Sequence, residues 1–346
     1  MSEPIADVAV IIVGFRNCED VRDCLWALSN SSPDPSFDIF ICENGGTPSF
    51  VRLLNALLGE GGPCEESNER EFVAPECERC VEVRGLRLRG RSASVWVACA
   101  AENFGYAGGV NAWLKQLQKL PSWKGVWILN PDTQPEANAL AELAQRARAG
   151  NKGMVGSTIL DVNQPDKISC RGGIHWQKWA TRSVMIGFGE PASAACDLRA
   201  IEAAMDCPSG ASMYVTRECI EKIGPMDESY FLFSEDLDWG VRAKRYGLGY
   251  ASASIVTHKR GTTTGSAMSP LHVPRFSVYL QHRNAVRFVR KHFPLTLPIC
   301  VVVMFLYAVR YLLRQAPRQA IAAFHGTIAG LKGETGPPIR YSEFRS

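Results

Sequence analysis

The sequence predicts an α/β fold, a mostly parallel sheet carrying helices on both faces, followed by a helical C-terminal extension. Three observations predict it. Residues 8–14 (VAVIIVG) form a short, β-branched, almost continuous apolar run, the pattern of a parallel strand buried on both faces. Val21, Leu25 and Leu28 recur at helical spacing behind Asn17, which can cap that helix. The strand-then-helix alternation returns at residues 37–42, 95–99 and 126–129, and a repeated βα pattern selects a doubly wound parallel sheet.

Taken in order, the strand at 37–42 (FDIFIC) runs into Glu43, Asn44, Gly45 and Gly46. A carboxylate and a flexible turn therefore lie at a strand's C-terminal end, where open α/β sheets bind ligands. Residues 60–91 shift to Glu, Arg, Gly, Cys and Pro without periodicity and read as an inserted surface excursion. Within it Cys77 and Cys80 lie near Cys64, which would allow a zinc clip, although a complete second ligand pair is missing. The strand at 95–99 is followed by the loop 103–111 (NFGYAGGVN) and a helix carrying Trp113, Leu114 and Leu117. The strand at 126–129 ends in Asn130, Pro131, Asp132 and Thr133, and Pro135 suits the first turn of the next helix. Beyond a strand at 154–160 the spacing loosens until a strand at 212–215 and a helix at 218–223. An acidic and aromatic stretch, 227–239, then leads into a helix through Arg245 that stops near Gly247, and a strand at 250–256 delivers His258.

Composition narrows the function. The 346 residues are 46% hydrophobic and 21% charged, which describes a globular chain, and a net charge of +3 gives no general attraction for polyanions. Nucleic acid is therefore not an expected partner. No positive region precedes the apolar stretch at 8–13, which is too short for a signal core, so a cytoplasmic location is expected. Twelve cysteines scattered through apparent strands and helices suit reduced, buried thiols better than a disulfide framework.

Three groups of residues carry chemistry. Asp132, on a loop ending a strand, is a hard oxygen ligand that could hold Mg²⁺ or Mn²⁺ while phosphate oxygens fill other positions, although Asn-Pro-Asp is also an ordinary turn. His258 could complete that site or touch a diphosphate, or remain a solvated loop histidine; the loop 260–266 (RGTTTGS) could close over phosphates or simply connect. Glu235, Asp236 and Asp238 place three acids in four positions beside Phe231, Phe233 and Trp239. Crowded carboxylates resist ionisation, so one can become a general base, and Asp236 is the nominee; acids also favour a helix N-terminus for structural reasons. Gly105, Gly108 and Gly109 precede a helix, so backbone N–H groups could approach a ligand closely. Their spacing is not the dinucleotide fingerprint, which weakens a nicotinamide enzyme; a nucleotidyltransferase loses support because 14–19 (GFRNCE) replaces a glycine-rich loop after the first strand.

The order of these pieces resembles the family 2 glycosyltransferases with a GT-A fold, a Rossmann-like mixed sheet, and within them the rhamnosyltransferase-like branch, over residues 7–290. Residues 10–17, with Gly14 and Arg16, are similar to the family's first strand, and Glu43 with Asn44 resembles its base-contacting Asp-Asn turn, Glu replacing Asp. Asn103, Gly105, Gly108, Gly109 and Asn111 resemble the loop that binds the sugar donor, and Asn130 with Asp132 the local form of the metal-binding DxD motif. Gly210 and Ala211 resemble acceptor-side elements, as do Met226 to Glu228; Glu235, Asp236, Asp238, Trp239 and Arg242 look like the catalytic acidic motif and its helix; His258, Arg283 and Asn284 match family positions. The resemblance implies that Asp236 is the base with Glu235 beside it, that Asp132 and His258 hold Mg²⁺ or Mn²⁺, and that Gly210, Ala211, Asp238, Trp239 and Arg242 serve the acceptor side. It further implies inverting transfer from a nucleoside diphosphate sugar, dTDP-rhamnose first and a UDP- or GDP-sugar next. The acceptor would be a hydroxyl of a glycan or lipid-linked molecule in cell-surface polysaccharide synthesis. The expected division is a donor-binding half over 1–150 with its insertion at 60–91, an acceptor-binding and catalytic half over 151–290, and a helical segment over 291–346. The rivals are a catalytically silent protein that binds nucleotide sugars or glycans, and a nucleotidyltransferase on a similar sheet.

Residues 295–309 are apolar apart from Thr296 and a break at Pro298, and are flanked by Arg290, Lys291, Arg310 and Arg314. At ~1.5 Å per residue the run falls short of a ~30 Å hydrocarbon core. A helix lying on or dipping into the cytoplasmic leaflet is expected, held by anionic lipid; a buried packing or homodimerising helix is the alternative.

Overall fold

A computed structural model of the chain describes residues 6–67, 79–259 and 271–338. In chain order the elements are β1 (Val8–Gly14), α1 (Cys18–Ser29), β2 (Phe37–Glu43), α2 (Thr47–Leu58), β3 (Cys64–Glu66), β4 (Cys80–Leu88), β5 (Ser94–Ala100), α3 (Gly105–Leu117), β6 (Gly125–Leu129), β7 (Thr133–Pro135) and α4 (Ala139–Gly150). There follow β8 (Met154–Asp161), β9 (Gln164–Arg171), β10 (Gly173–Gln177), β11 (Arg182–Met185), α5 (Leu198–Ala204), β12 (Cys207–Pro208), β13 (Ser212–Thr216), α6 (Arg217–Ile223), α7 (Glu235–Ala243), β14 (Leu248–His258), α8 (Arg275–His292), α9 (Leu297–Leu313) and α10 (Pro317–Lys332).

The all-buried pattern of β1 and β2 has the cause its composition predicts: apolar side chains on both faces demand helices on both sides. Successive β1 residues serve opposite layers. Ala9, Ile11 and Val13 join a core with α3, α7 and α8, while Val8, Val10 and Ile12 join one with α1, α2 and α4. The sheet runs β3-β4-β5-β2-β1-β6-β13-β8-β14-β7, with β9 on β8. Strands β5, β2, β1 and β6 are mutually parallel, β13 is antiparallel to both its neighbours, and β14 runs parallel to β8. The first β–α–β crossover goes to one side of β1, whereas β6 pairs on its other side. That reversal opens a crevice beyond the C-terminal ends of β1 and β6.

Several local expectations are corrected. Asn17 stands at the start of α1 but does not cap it, because its Oδ1 accepts from the Phe15 N–H at 2.9 Å. Pro135 ends β7 and α4 begins only at Ala139, since β7 pairs with the end of β14. The excursion at 60–91 contains β3 and β4, which lengthen the sheet, β4 antiparallel to β5 and β3 antiparallel to β4. Cys77 of the zinc-clip expectation lies outside the described residues, while Cys64 is buried, and that burial pushes its thiol up to about 12. The loose stretch after residue 160 is a hairpin, β9, followed by a second small sheet, β11-β10-β12. The apolar run near 295 also does not stop at Val309. With a short 3₁₀ turn at Pro294–Thr296 it forms a helix of 20 residues and mean hydropathy 2.0, long and apolar enough by length and composition to cross a membrane. Only Cys300, Met304 and Ala308 of α9 are buried, so it is not a core helix of this chain.

Candidate active site

A cavity of about 910 Å³ occupies the crevice. The loop after β6 supplies Asn130 and Asp132, and two backbone ties fix it: Asn130 N–H donates to the Ala211 carbonyl and Lys259 N–H to the Asp132 carbonyl, both at 3.0 Å. Because β14 pairs with β7 at His258 opposite Thr133, the histidine is delivered beside that loop. Its Nε2 lies 3.1 Å from Asp132 Oδ1, and Asp132 is 8% exposed. Among the described residues no cluster of three or more His, Cys, Asp or Glu gathers. One carboxylate and one imidazole suit a Mg²⁺ or Mn²⁺ ion that takes its other ligands from a diphosphate and water, and do not suit a closed zinc site.

The second wall begins at α7. Asp236 is half-buried and faces the cavity; a Cβ on Gly210 would stand 2.9 Å from Asp236 Oδ2, so glycine there leaves the carboxylate its space. Glu235 is 4% exposed and its Oε2 has no hydrogen-bond partner. Burial, reinforced by the neighbouring Asp236 charge, raises the Glu235 carboxyl to about 8, and burial raises Asp236 as well. Tyr106 joins the two walls. Its hydroxyl lies 3.1 Å from Asn130 Oδ1 and 3.0 Å from the Gly210 carbonyl. Burial, with the charges of Asp236, Glu235 and Asp132, pushes its phenol well above the ordinary value, so it remains a proton-bearing donor between them.

The loop feeding α7 is strained and held. Phe231, Phe233 and Ser234 all have left-handed backbones, with φ of 67°, 70° and 70°. Asn284 on α8 donates to the carbonyls of Tyr230 (3.0 Å), Leu232 (2.8 Å) and Phe233 (2.8 Å), and Arg283 donates to that of Tyr230 (2.8 Å). From the opposite side the Tyr106 N–H donates to the Phe231 carbonyl at 2.8 Å, and Gly105, at φ +71°, lies so close that a Cβ would come within 2.1 Å of that oxygen. Asn44 in turn donates to the Gly105 carbonyl at 2.9 Å. Asn44, Asn103, Gly105, Asn130, Asp132, Gly210, Ala211, Glu235, Asp236 and His258 thus share one cavity.

Other expected site residues are not brought there. Glu43 is fully buried: its Oε1 accepts from the N–H groups of Arg16 (3.1 Å) and Gly45 (2.7 Å), and its Oε2 faces Gly14. It ties the turn together, while Phe15 and Asn17 line the cavity and the Arg16 guanidinium lies over the Phe15 ring. Gly108 and Gly109 pack against Phe104 and Val13, permitting close helix-to-sheet approach. The Asn111 amide clamps Met226 and Glu228. Asp238 lies beneath the site, 2.9 Å from Arg242, 2.7 Å from Lys291 and 2.7 Å from His292. Burial would raise its carboxyl, but His292, Lys291 and Arg242 outweigh that and hold it at about 2. Trp239 is buried and donates to the Gly224 carbonyl, and Arg242 to that of Pro225, both at 2.9 Å. Asp238, Trp239 and Arg242, expected on the acceptor side, therefore support α7 from behind and do not line the cavity. The loop at 260–266 lies outside the described residues. Conversely, Tyr106, the α9 residues Tyr307, Arg310 and Tyr311, and Arg314 just beyond α9 line the cavity without having been expected as site residues. The (i, i+4) spacing of the two arginines was the available signal, read as a flank of the apolar run.

An open, mixed α/β sheet with its acids gathered past the strand ends is the GT-A architecture. The chain belongs to glycosyltransferase family 2: the family model described as glycosyltransferase like family 2 matches residues 84–293. It is 28% identical over 205 residues to the N-acetylglucosaminyl-diphospho-decaprenol L-rhamnosyltransferase of Mycobacterium tuberculosis, a match spanning 51% of this chain and 63% of that relative's length. It is 22% identical over 350 residues to the low-salt glycan biosynthesis hexosyltransferase Agl10 of Haloferax volcanii, covering 96% of this chain and 94% of Agl10. Among solved structures, GalNAc-T7 with UDP, GalNAc and Mn²⁺ shares the fold at a TM-score of 0.53 and 12% identity, over 99% of this chain and 56% of that one.

Proposed function

We propose that the chain is an inverting glycosyltransferase that moves a hexose, rhamnose as the first expectation, from a nucleoside diphosphate sugar to a hydroxyl of a glycan or lipid-linked acceptor in cell-surface polysaccharide synthesis. One observation carries the reading: the Asp132–His258 pair and the Glu235–Asp236 pair open on the same cavity, with Tyr106 reaching the backbone and amide groups beside each. The names of the mycobacterial and haloarchaeal relatives support the sugar class and, for the former, a lipid diphosphate acceptor.

In this reading Asn44, Asn103 and Gly105 shape the side that receives the nucleotide, and Asp132 with His258 faces its diphosphate. A Mg²⁺ or Mn²⁺ ion held by Asp132, His258 and phosphate oxygens would supply Lewis-acid neutralisation of charge on the leaving diphosphate. Asp236 takes the proton from the acceptor hydroxyl as its oxygen bonds to the anomeric carbon and the carbon–phosphate-oxygen bond breaks on the opposite face, which inverts the centre. A desolvated carboxylate with a raised pKa is the better base for that transfer. Glu235, raised to about 8 by burial and the neighbouring Asp236 charge, keeps its proton at neutral pH and avoids a second negative charge beside the base. The apolar face of α9 supports a peripheral position on the cytoplasmic membrane face.

A thermal-shift screen of dTDP-, UDP- and GDP-sugars with and without Mn²⁺ tests the reading, since a specific ligand raises the melting temperature by mass action. The best ligand should then be consumed by wild type and bound but not consumed by Asp236→Ala. Release of pyrophosphate from a nucleoside triphosphate and a sugar phosphate would instead establish a nucleotidyltransferase.

A further inference from the structure

We infer that the α9 side of the cavity is a subsite for the phosphate of a lipid-linked acceptor, held by Arg310 and Arg314 while the adjoining face of α9 rests on the bilayer that carries the lipid tail. The inference rests on the glycosyl-transfer reading above and assigns residues to its acceptor. At about 100° per residue, α9 divides into three stripes. Cys300, Met304 and Ala308 are buried against the body of the protein. Val302, Leu306, Val309 and Leu313, the last 80% exposed, form an exposed apolar stripe, continued by Leu295 of the preceding 3₁₀ turn, 94% exposed. Tyr307 and Arg310 lie between the two stripes, Tyr311 on the buried side and Arg314 at the C-terminal cap of the helix, and all four line the cavity.

The cavity wall and the apolar surface are therefore adjacent edges of one helix. Tyr307 fixes the helix to the β10–β11 connection by donating to the Ala180 carbonyl at 2.8 Å. Charge and exposure divide the lining: Asp132 and Glu235 are buried, while Arg310 and Arg314 are exposed, as is Arg182 of the β10–β11 hairpin. Neither α9 guanidinium has a carboxylate partner among the described residues. Two guanidiniums one helical turn apart can share one phosphate or diphosphate group, with Arg's planar fork matching its oxygens. A sugar attached to that phosphate could reach Asp236 while its negative charge stayed with the exposed arginines. An apolar stripe edged by arginines is also the composition of a helix lying in the interface of an anionic membrane, where the tail of such an acceptor lies. The same geometry gives the acceptor lateral access from the membrane plane.

Full-length protein, saturated with whichever nucleoside diphosphate binds, is titrated calorimetrically with farnesyl diphosphate as probe and farnesol as control, and is co-sedimented with phosphatidylglycerol and phosphatidylcholine vesicles. Farnesyl diphosphate should bind the wild type and bind Arg310→Ala/Arg314→Ala at least roughly tenfold more weakly, with nucleoside diphosphate affinity changed less than about twofold. Leu306→Ser/Leu313→Ser should reduce sedimentation with phosphatidylglycerol vesicles; both pairs are exposed, and unchanged melting curves confirm folding. Equal farnesyl diphosphate affinity in wild type and the arginine variant overturns the subsite while leaving the transferase reading intact. A wild-type dimer that ignores vesicles and dissociates on Leu306→Ser/Leu313→Ser would assign the face to a second copy. Failure of every nucleoside diphosphate to bind removes the transferase reading itself, and the subsite with it.

Discussion

Nε2 of His258 stands 3.1 Å from Oδ1 of Asp132 although 126 residues separate them in the chain. The pairing of β14 with β7 makes that meeting, since it lays the last residue of one strand beside the loop that opens the other. Asp132→Asn and His258→Ala should therefore fail together. Each should remove the Mn²⁺-dependent part of nucleotide-sugar binding and lower transfer by about 10²-fold or more, the scale of several kcal/mol of charge stabilisation. Titration of Mn²⁺ against each variant measures this; an unchanged metal dependence in either would place the ion elsewhere.

The acid pair gives a pH prediction with a definite sign. Glu235 has a folded pKa of about 8 against an ordinary 4.5, because burial disfavours its charge. A group raised on folding contributes stability that is complete below its unfolded pKa and is lost as pH rises through the folded value. Wild-type melting temperature should fall between mildly acidic and mildly alkaline pH, and Glu235→Gln should flatten that fall, gaining a few degrees on the alkaline side. In the same range Asp236→Asn should lower transfer by roughly 10²–10⁴-fold. With Asp236 as the proposed base, wild-type transfer should decline as pH drops through its raised pKa, because a general base accepts a proton only when ionised. A variant Glu235→Gln whose melting curves parallel wild type at every pH would show that the residue is not held neutral.

What the sequence disclosed divides along a physical line. β1 and β2 were legible because both faces are buried and every residue obeys one rule. Asp132, Asp236 and His258 were legible as residue types at strand and helix ends, and their order along the chain marked the family. Direction of side chains was not. Asp238 lies two positions beyond Asp236 on α7, about 200° around the helix, so it meets Lys291 and His292 on α8 and cannot face the cavity. Nothing local announces that partner, because the contact is made by tertiary packing. The same holds for Asn111, whose amide looks like a ligand group in its loop motif but is consumed by Met226 and Glu228. β4 escaped because an edge strand with alternating exposed residues and charges has little apolar signal.

Asn284 offers a test of positioning at a distance from chemistry. Its amide nitrogen is the common partner of three carbonyls in a loop with three left-handed non-glycine residues. Strained backbones of this kind cost of order 1–3 kcal/mol each and persist only when the surroundings hold them. Asn284→Ala should lower stability by about 2–4 kcal/mol and transfer by about 10²-fold through displacement of Asp236. Nucleotide-sugar affinity should change little, because the Asp132 wall is untouched. A uniform loss of both affinity and turnover would point to general unfolding instead of misplacement of the acid.

Gly105 separates two effects that are usually confounded. Gly105 and Gly90 have nearly the same left-handed backbone, φ +71° and +72°, so alanine at either carries the same conformational penalty, about 1 kcal/mol. At Gly90 the new methyl would meet nothing within 4 Å, whereas at Gly105 it would lie 2.1 Å from the Phe231 carbonyl oxygen. That oxygen belongs to backbone already fixed by the Tyr106 N–H and by neighbours tied to Asn284, so it has little room to retreat. Gly90→Ala should therefore lose about 1 kcal/mol and keep full transfer activity. Gly105→Ala should lose more than about 2 kcal/mol and, by displacing the loop that carries Glu235 and Asp236, should reduce turnover by at least tenfold. Chemical denaturation and transfer assays on the pair measure the difference directly. Equal losses at the two glycines would mean that the α3 start and the Phe231 loop do not touch in solution, and the shared cavity would go with them.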